Sequence, residues 1–187
     1  ITLEGHGREA IDSSIDHSHT VGWFTSMFPV RLELKSTLKD SIQSIKESLR
    51  TIPNKGIGFG TFAVSNKTTY THSDLVPISF NYLGQFGTQH GEWQLTPESS
   101  GMNVHPANGN PHLISINGMV SEGKLRFSIV SKLGKQATEK LSNGLKRHLT
   151  IIIEHCNERL EKDGGSYTPS DFKEVRLSQF LLNRLET

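Results

Sequence analysis

The stretch VPISFNYLGQF, residues 76–86, lies near the middle of the 187-residue chain and decides how its flanks are read. β-Branched and aromatic residues crowd it, so it reads as a strand. Upstream, STLKDSIQSIKESLRTIP (36–53) places Leu38, Ile42, Ile45, Leu49 and Ile52 at steps of four and three, one apolar stripe of a helix. Ser36 or Thr37 caps it, Asp40 stands three residues after Thr37 as a capping-box partner, and Pro53 stops it. Downstream, HLISINGMV (112–120) and GKLRFSIVS (123–131) flank Ser121-Glu122-Gly123 as a hairpin, with Leu125, Phe127 and Ile129 alternating onto one face. A second long helix is expected from about Gln136 to Arg159, with Leu141, Leu145, Leu149, Ile152, Cys156 and Leu160 as its buried face. Asn143-Gly144 weakens its middle by about 1 kcal/mol.

At the amino end, Ile1-Thr2-Leu3 is strand-like and runs into Glu4, Gly5, His6, Gly7, Arg8 and Glu9. A turn alone needs the glycines but not four ionisable side chains in six residues. From the residues themselves, Glu4 and Arg8 read either as a prepared site or as a surface pair at a helix start near Glu9. The order is therefore strand, helix start, strand, helix, strand, hairpin, helix: a mixed α/β architecture, a mixed sheet covered by helices. PNKGIGFG (53–60) reads as a glycine-punctuated loop and DGGSYTPSDF (163–172) as a linker, followed by an amphipathic tail, LSQFLLNRL (177–185). Residues 87–111 form a long polar loop of the kind that is functional or mobile.

Composition removes several classes. Hydrophobic residues make up 34% and charged residues 21%, which fits neither a disordered chain nor a membrane-embedded one. No apolar run approaches the ~20 residues of a spanning helix, and no signal peptide is expected. The net charge of +1, with scattered Lys and Arg, leaves no footprint for nucleic acid. One cysteine, Cys156 among isoleucines, reads as a buried thiol in a reducing, cytoplasmic setting. The nine histidines match no standard zinc spacing, so Asp16-His17-Ser18-His19 and the pair His148 and His155 read as solvated side chains and no metal is expected. GIGFG has no Lys-Ser or Lys-Thr pair after Gly60 and follows a helix, which argues against a nucleotide loop. No serine occupies a G-x-S-x-G elbow.

Four motifs in order, EGHGRE (4–9), HTVGWFTSMFPVRLE (19–33), IPNKGIGFG (52–60) and FNYLGQF (80–86), resemble the second half of an epimerization domain of nonribosomal peptide synthetases. YTPSDF (167–172) is similar to the exit of such domains and of their condensation relatives. The resemblance implies the carboxy-terminal lobe of a two-lobed, chloramphenicol-acetyltransferase-like fold, spanning residues 1–163, with residues 164–187 as exit linker and tail. It implies interconversion of L and D configuration at the α-carbon of an aminoacyl or peptidyl thioester on a carrier protein. The phosphopantetheine arrives on that carrier, so no permanently bound cofactor is expected. Implied partners are the upstream half of the domain, the peptidyl carrier protein and neighbouring synthetase modules.

Under the resemblance Glu4, Asn81 and Tyr82 are the catalytic candidates, and Gly5, Gly7, Arg8, His19 and Trp23 bind or orient substrate. Gly5 and Gly7 would let the backbone approach the tethered substrate, and Arg8 would orient Glu4 or pair with Glu9. Two departures stand out: His19 replaces a usual arginine, and no His-His pair exists for the family's His-His-x-x-x-Asp-Gly motif. The chain therefore holds part of a site, His6 is a supporting residue, and residues 1–187 alone are expected to be inactive. Two other roles fit the same fold: a condensation lobe forming amide bonds, or an inactive lobe that docks carriers. Because adjacent strand residues face opposite sides, Asn81 and Tyr82 cannot both face one cleft from a regular strand.

Overall fold

A computed structural model describes residues 1–65, 76–86, 98–99, 101–102, 104–105, 107–172 and 174–185. Much of the polar loop at 87–111 lies outside the described residues. The chain forms two compact units, Ile1–Val30 with Gly56–Thr138, and Arg31–Lys55 with Glu139–Thr187.

The first unit holds a five-stranded sheet in the order β2-β1-β3-β4-β5. Its strands are β1 (Thr2–Gly5), β2 (Ser26–Pro29), β3 (Ile78–Phe86), β4 (Ile114–Ser121) and β5 (Lys124–Ser131). β1 runs antiparallel to β2 but parallel to β3, β3 is parallel to β4, and β4–β5 is the antiparallel hairpin. The hairpin turns on Glu122 and Gly123, both with positive φ (53° and 72°), the backbone of a two-residue primed turn that matches strand twist. The mixed α/β architecture is as the sequence predicts.

Alternation divides the sheet into two chemically different faces. Leu3, Phe80, Ile116 and Phe127 share one side, where the Phe80 and Phe127 rings stand 6.3 Å apart. Thr2, Ser79, Ser115 and their neighbours share the other. Phe28 of β2 is buried in the first unit because Gly56 lies against its ring. A Cβ on Gly56 would stand 2.2 Å from that ring, and φ there is +84°.

Two expectations fail in this unit. No helix begins near Glu9; residues 6–25 form an irregular connection. The GIGFG segment is not all loop, since α2 (Phe59–Ser65) starts within it and the Phe62 N–H donates to the Gly58 carbonyl at 3.0 Å. Glycine propensity argued against a helix there, but α2 packs on β2, and tertiary packing overrides a penalty of about 1 kcal/mol.

In the second unit α1 (Leu38–Arg50) begins as the capping signal predicts. Thr37 Oγ1 accepts the Asp40 N–H at 3.1 Å and donates to the Asp40 carboxylate at 2.7 Å. The segment read as a linker is instead fastened to this helix. Pro169–Asp171 forms a 3-10 turn behind a fully buried Thr168. Ser170 Oγ donates to Glu47, and Asp171 receives Lys46 Nζ at 2.5 Å and Arg50 Nη1 at 2.6 Å. The Lys46 ammonium foremost, then the Arg50 guanidinium and the Thr168 N–H, hold the Asp171 carboxyl well below the usual carboxylate range.

A depressed carboxylate stabilises the fold above its unfolded pKa of about 4, and that contribution is lost as pH falls through the folded value. Asp171→Asn is therefore expected to cost about 1–2 kcal/mol at neutral pH, with a deficit that shrinks below about pH 4. Thermal denaturation across pH checks both.

α3 (Lys135–Asp163) runs through Asn143-Gly144 without a break, and α4 (Gln179–Leu185) closes the described chain. The predicted buried face of α3 is only partly covered. Leu141, Leu145 and Leu149 are half-buried, whereas Ile152, Cys156 and Leu160 are exposed, so the thiol is not the buried one expected. Three consecutive isoleucines, 151–153, fan over about 200° of helix circumference, and no single contact buries all three. A periodic stripe states which side is apolar, not what covers it.

Candidate active site

The polar face of the sheet converges on Glu4. The parallel register Thr2↔Ser79 and Leu3↔Phe80 carries β1 forward so that Glu4 stands beside Asn81, whose Nδ2 donates to Glu4 Oε2 at 3.0 Å. Along the same face Ser79 Oγ donates to Ser115 Oγ at 3.1 Å, and Asn110 Nδ2 donates to the same Ser115 oxygen at 3.0 Å. Burial raises the Glu4 carboxyl above its ordinary pKa, partly offset by the charge of His112.

The sign of this shift fixes a stability effect. A carboxyl whose pKa is raised by folding holds its proton more tightly in the native state, so stability is greatest below its unfolded pKa and falls as pH rises through the folded value. Glu4→Gln, which cannot ionise, is expected to raise the thermal midpoint at pH 7, with the gain fading toward about pH 4. Paired melts at the two pH values measure it.

Tyr82 stands apart from this pair. β3 and β4 stay in register through Asn81↔Asn117 and Tyr82↔Gly118, and the irregularity comes only between Tyr82 and Gln85. Tyr82 thus shares the side of Phe80, opposite Glu4 and Asn81, and is 50% exposed.

Arg8 organises a loop. Its guanidinium donates to the carbonyls of His17 at 2.9 Å and Thr20 at 2.7 Å, and lies 4.1 Å from the centre of the Phe24 ring. It makes no hydrogen bond to Glu4 among the described residues. Gly7 serves the same loop: its backbone passes against the Phe24 carbonyl, so its close approach is to chain rather than to open space. Gly5 ends β1 opposite Ser26. His19 is exposed, and Trp23 is 92% exposed on the segment that Arg8 ties down. His6 accepts the Arg8 N–H on Nδ1 at 3.0 Å and meets Glu9 through Nε2 at 3.0 Å, away from Glu4.

His112 is the residue that the sequence did not mark. HLISINGMV reads as a plain strand with a polar residue at its start, yet His112 is 5% exposed and lies within the charge field of Glu4. Among the described residues no cluster of three or more His, Cys, Asp or Glu side chains is arranged to hold a metal ion. No helix among them is long and apolar enough to cross a membrane.

Comparison with known proteins agrees with this frame. The condensation-domain family profile matches residues 1–172. The chain belongs to the condensation-domain family. Within that family's synthetases it is 40% identical over 202 residues to gramicidin S synthase 1 of Brevibacillus brevis, covering 96% of this chain and 18% of that protein. It is 38% identical over 194 residues to tyrocidine synthase 2 of Brevibacillus parabrevis, covering 95% of this chain and 5% of the other. The chain thus spans a small part of the curated relatives it matches. The crystal structure of the epimerization domain from the third module of tyrocidine synthetase B superposes with a TM-score of 0.67 at 36% identity. That match covers 83% of this chain and 36% of the solved one. The resemblance drawn from the four motifs and the fold class both stand.

Proposed function

We propose that this chain carries the proton-handling carboxylate of an epimerization domain acting on an aminoacyl or peptidyl thioester tethered to a carrier protein. The observation that carries the reading is Glu4: a carboxylate desolvated by the sheet and oriented by Asn81, inside the motif that resembles the family's. Likeness to a solved epimerization domain supports it.

The carboxylate removes the α-proton; the C–H electrons pass onto the thioester carbonyl as an enolate, and a proton delivered to the opposite face inverts the centre. A group near its working range serves both as acceptor and as donor. Raising the Glu4 pKa by burial moves it toward that range. The Asn81 amide keeps Oε2 fixed, so the other oxygen meets the substrate. The second proton-transfer group is the histidine that the resemblance places upstream, and the phosphopantetheine belongs to the substrate's carrier. Neighbouring modules deliver and receive the carrier.

The test presents the full synthetase containing this chain with its carrier, loaded with an L-aminoacyl thioester, in heavy water. Deuterium at the α-carbon supports epimerization. Amide formation between two loaded carriers without deuterium wash-in supports the condensation reading, and binding without either reaction supports a docking lobe.

A further inference from the structure

Proton abstraction by Glu4 needs a second group that no residue described so far supplies: a donor to the oxygen on which the enolate charge develops. Sheet register brings one to the same face. Asn81 of β3 is paired in register with Asn117 of β4, and Asn117 with Ser128 of β5. Residues in register share a face, so Glu4, Asn81, Asn117 and Ser128 form one row across four strands.

The polar groups of this face differ in what already holds them. Asn81 has its amide nitrogen on Glu4 Oε2 at 3.0 Å. In the adjoining row Thr2 donates to the Val76 carbonyl, and Ser79 and Asn110 both donate to Ser115 Oγ. The Asn117 side chain is half-buried and makes no hydrogen bond among the described residues. An amide drawn out of water with its donors unused carries a cost that a substrate accepting from it would offset. Ser128 is exposed and stands one strand farther from Glu4. The cations of this face, Lys124 and Arg126, lie toward the hairpin, opposite Ser121 and Met119, and Arg126 Nη2 donates to Glu122 at 3.3 Å.

The spacing suits the chemistry. Neighbouring strands lie about 4.8 Å apart, so the Glu4 and Asn117 backbones stand about 9–10 Å apart with β3 between them. A thioester α-carbon above β3 would lie about 3 Å from a carboxylate oxygen. Its carbonyl oxygen would lie about 2.4 Å from that carbon, and an amide nitrogen about 2.9 Å beyond the oxygen. The bond from Asn81 draws the Glu4 carboxyl toward β3, the side on which Asn117 stands.

Resting on the epimerization reading, we propose that Asn117 is a catalytic residue whose side-chain N–H donates to the thioester carbonyl oxygen as it becomes an enolate. Glu4 takes the α-proton, the C–H electron pair moves onto that oxygen through the new C=C bond, and the Asn117 hydrogen bond tightens as charge grows. Asn117 gives up no proton of its own. When a proton returns to the opposite face, the electron pair re-forms the C–H bond, the carbonyl is restored and the hydrogen bond relaxes.

The experiment follows α-deuterium wash-in by the full synthetase carrying Asn117→Leu, which keeps the size but loses the donor, or Asn117→Ser, which is smaller but keeps one. Wash-in by Asn117→Leu is expected to fall ~10²–10³-fold, with carrier binding within about threefold of wild type. Asn117→Ser is expected to retain at least about ten times the activity of Asn117→Leu, whereas a residue that only fills space would give the opposite order. The infrared stretch of an isotope-labelled thioester carbonyl on the bound carrier is expected at lower frequency in wild type than in Asn117→Leu. A loss below about threefold in Asn117→Leu, a loss in Asn117→Ser as large or larger, or an unchanged carbonyl stretch overturns the proposal. If Asn117→Leu does not fold, Asn117→Ala is read by the same criteria. Wild-type protein that gives no wash-in removes the epimerization reading and this proposal with it, whereas wild-type wash-in with unaffected variants removes only the role of Asn117.

Discussion

Glu4→Gln is expected to lower α-deuterium wash-in by the full synthetase ~10²–10⁴-fold, the usual contribution of a positioned acid or base. Fold and carrier binding should survive, because Gln keeps the size of Glu and its carbonyl oxygen still accepts the Asn81 amide. The loss would fall on turnover rather than on binding, since the proton acceptor acts in the transition state. Together with the stability gain expected at pH 7, this gives a distinctive signature: a more stable protein that does not exchange. A desolvated carboxylate held for chemistry has that property, whereas a surface Glu in a salt bridge would show the reverse. Unchanged wash-in would remove Glu4 from the proton path.

Gly7→Ala, three residues along the same motif, is expected to fail in the opposite way. A Cβ at Gly7 would stand 1.6 Å from the Phe24 carbonyl oxygen and 2.6 Å from its carbon, with φ at +69°. Both clashing atoms are backbone, so no rotamer change relieves them; β1 and the 17–24 loop must separate. Left-handed strain adds to the overlap, and the combined cost is expected to reach about 3 kcal/mol or more. The thermal midpoint should fall by roughly 6–12 °C. Gly58→Ala is the matched control: its Cβ meets nothing within 4 Å, and a change within about 0.5 kcal/mol is expected. A Gly7→Ala protein as stable as wild type would mean that the loop does not pack on Gly7 in solution.

The elements that the sequence determined by itself are those whose signals are short in range. Thr37 and Asp40 mark a helix start because a cap is made within one turn. Glu122-Gly123 marks a hairpin because two left-handed residues suffice to reverse a strand pair. Alternation in FNYLGQF was enough to say that Asn81 and Tyr82 face opposite sides. The side on which Glu4 waits depended on the pairing of β1 with β3, across 77 residues of chain.

Tertiary structure alone decided the rest, for the same reason each time: the deciding partner is remote and leaves no local pattern. Arg8 beside Glu9 looks like one of a surface pair until the His17 and Thr20 carbonyls, nine and twelve residues away, take its guanidinium. The YTPSDF segment reads as a linker until Lys46, Glu47 and Arg50 of α1 close on it. His112 reads as the polar start of a strand because its burial against the Val76 carbonyl, 36 residues away, leaves no pattern among its neighbours in the chain. Periodicity and capping live within one element, where sequence distance is spatial distance; the environment of a charge is set by whichever segment folding brings against it.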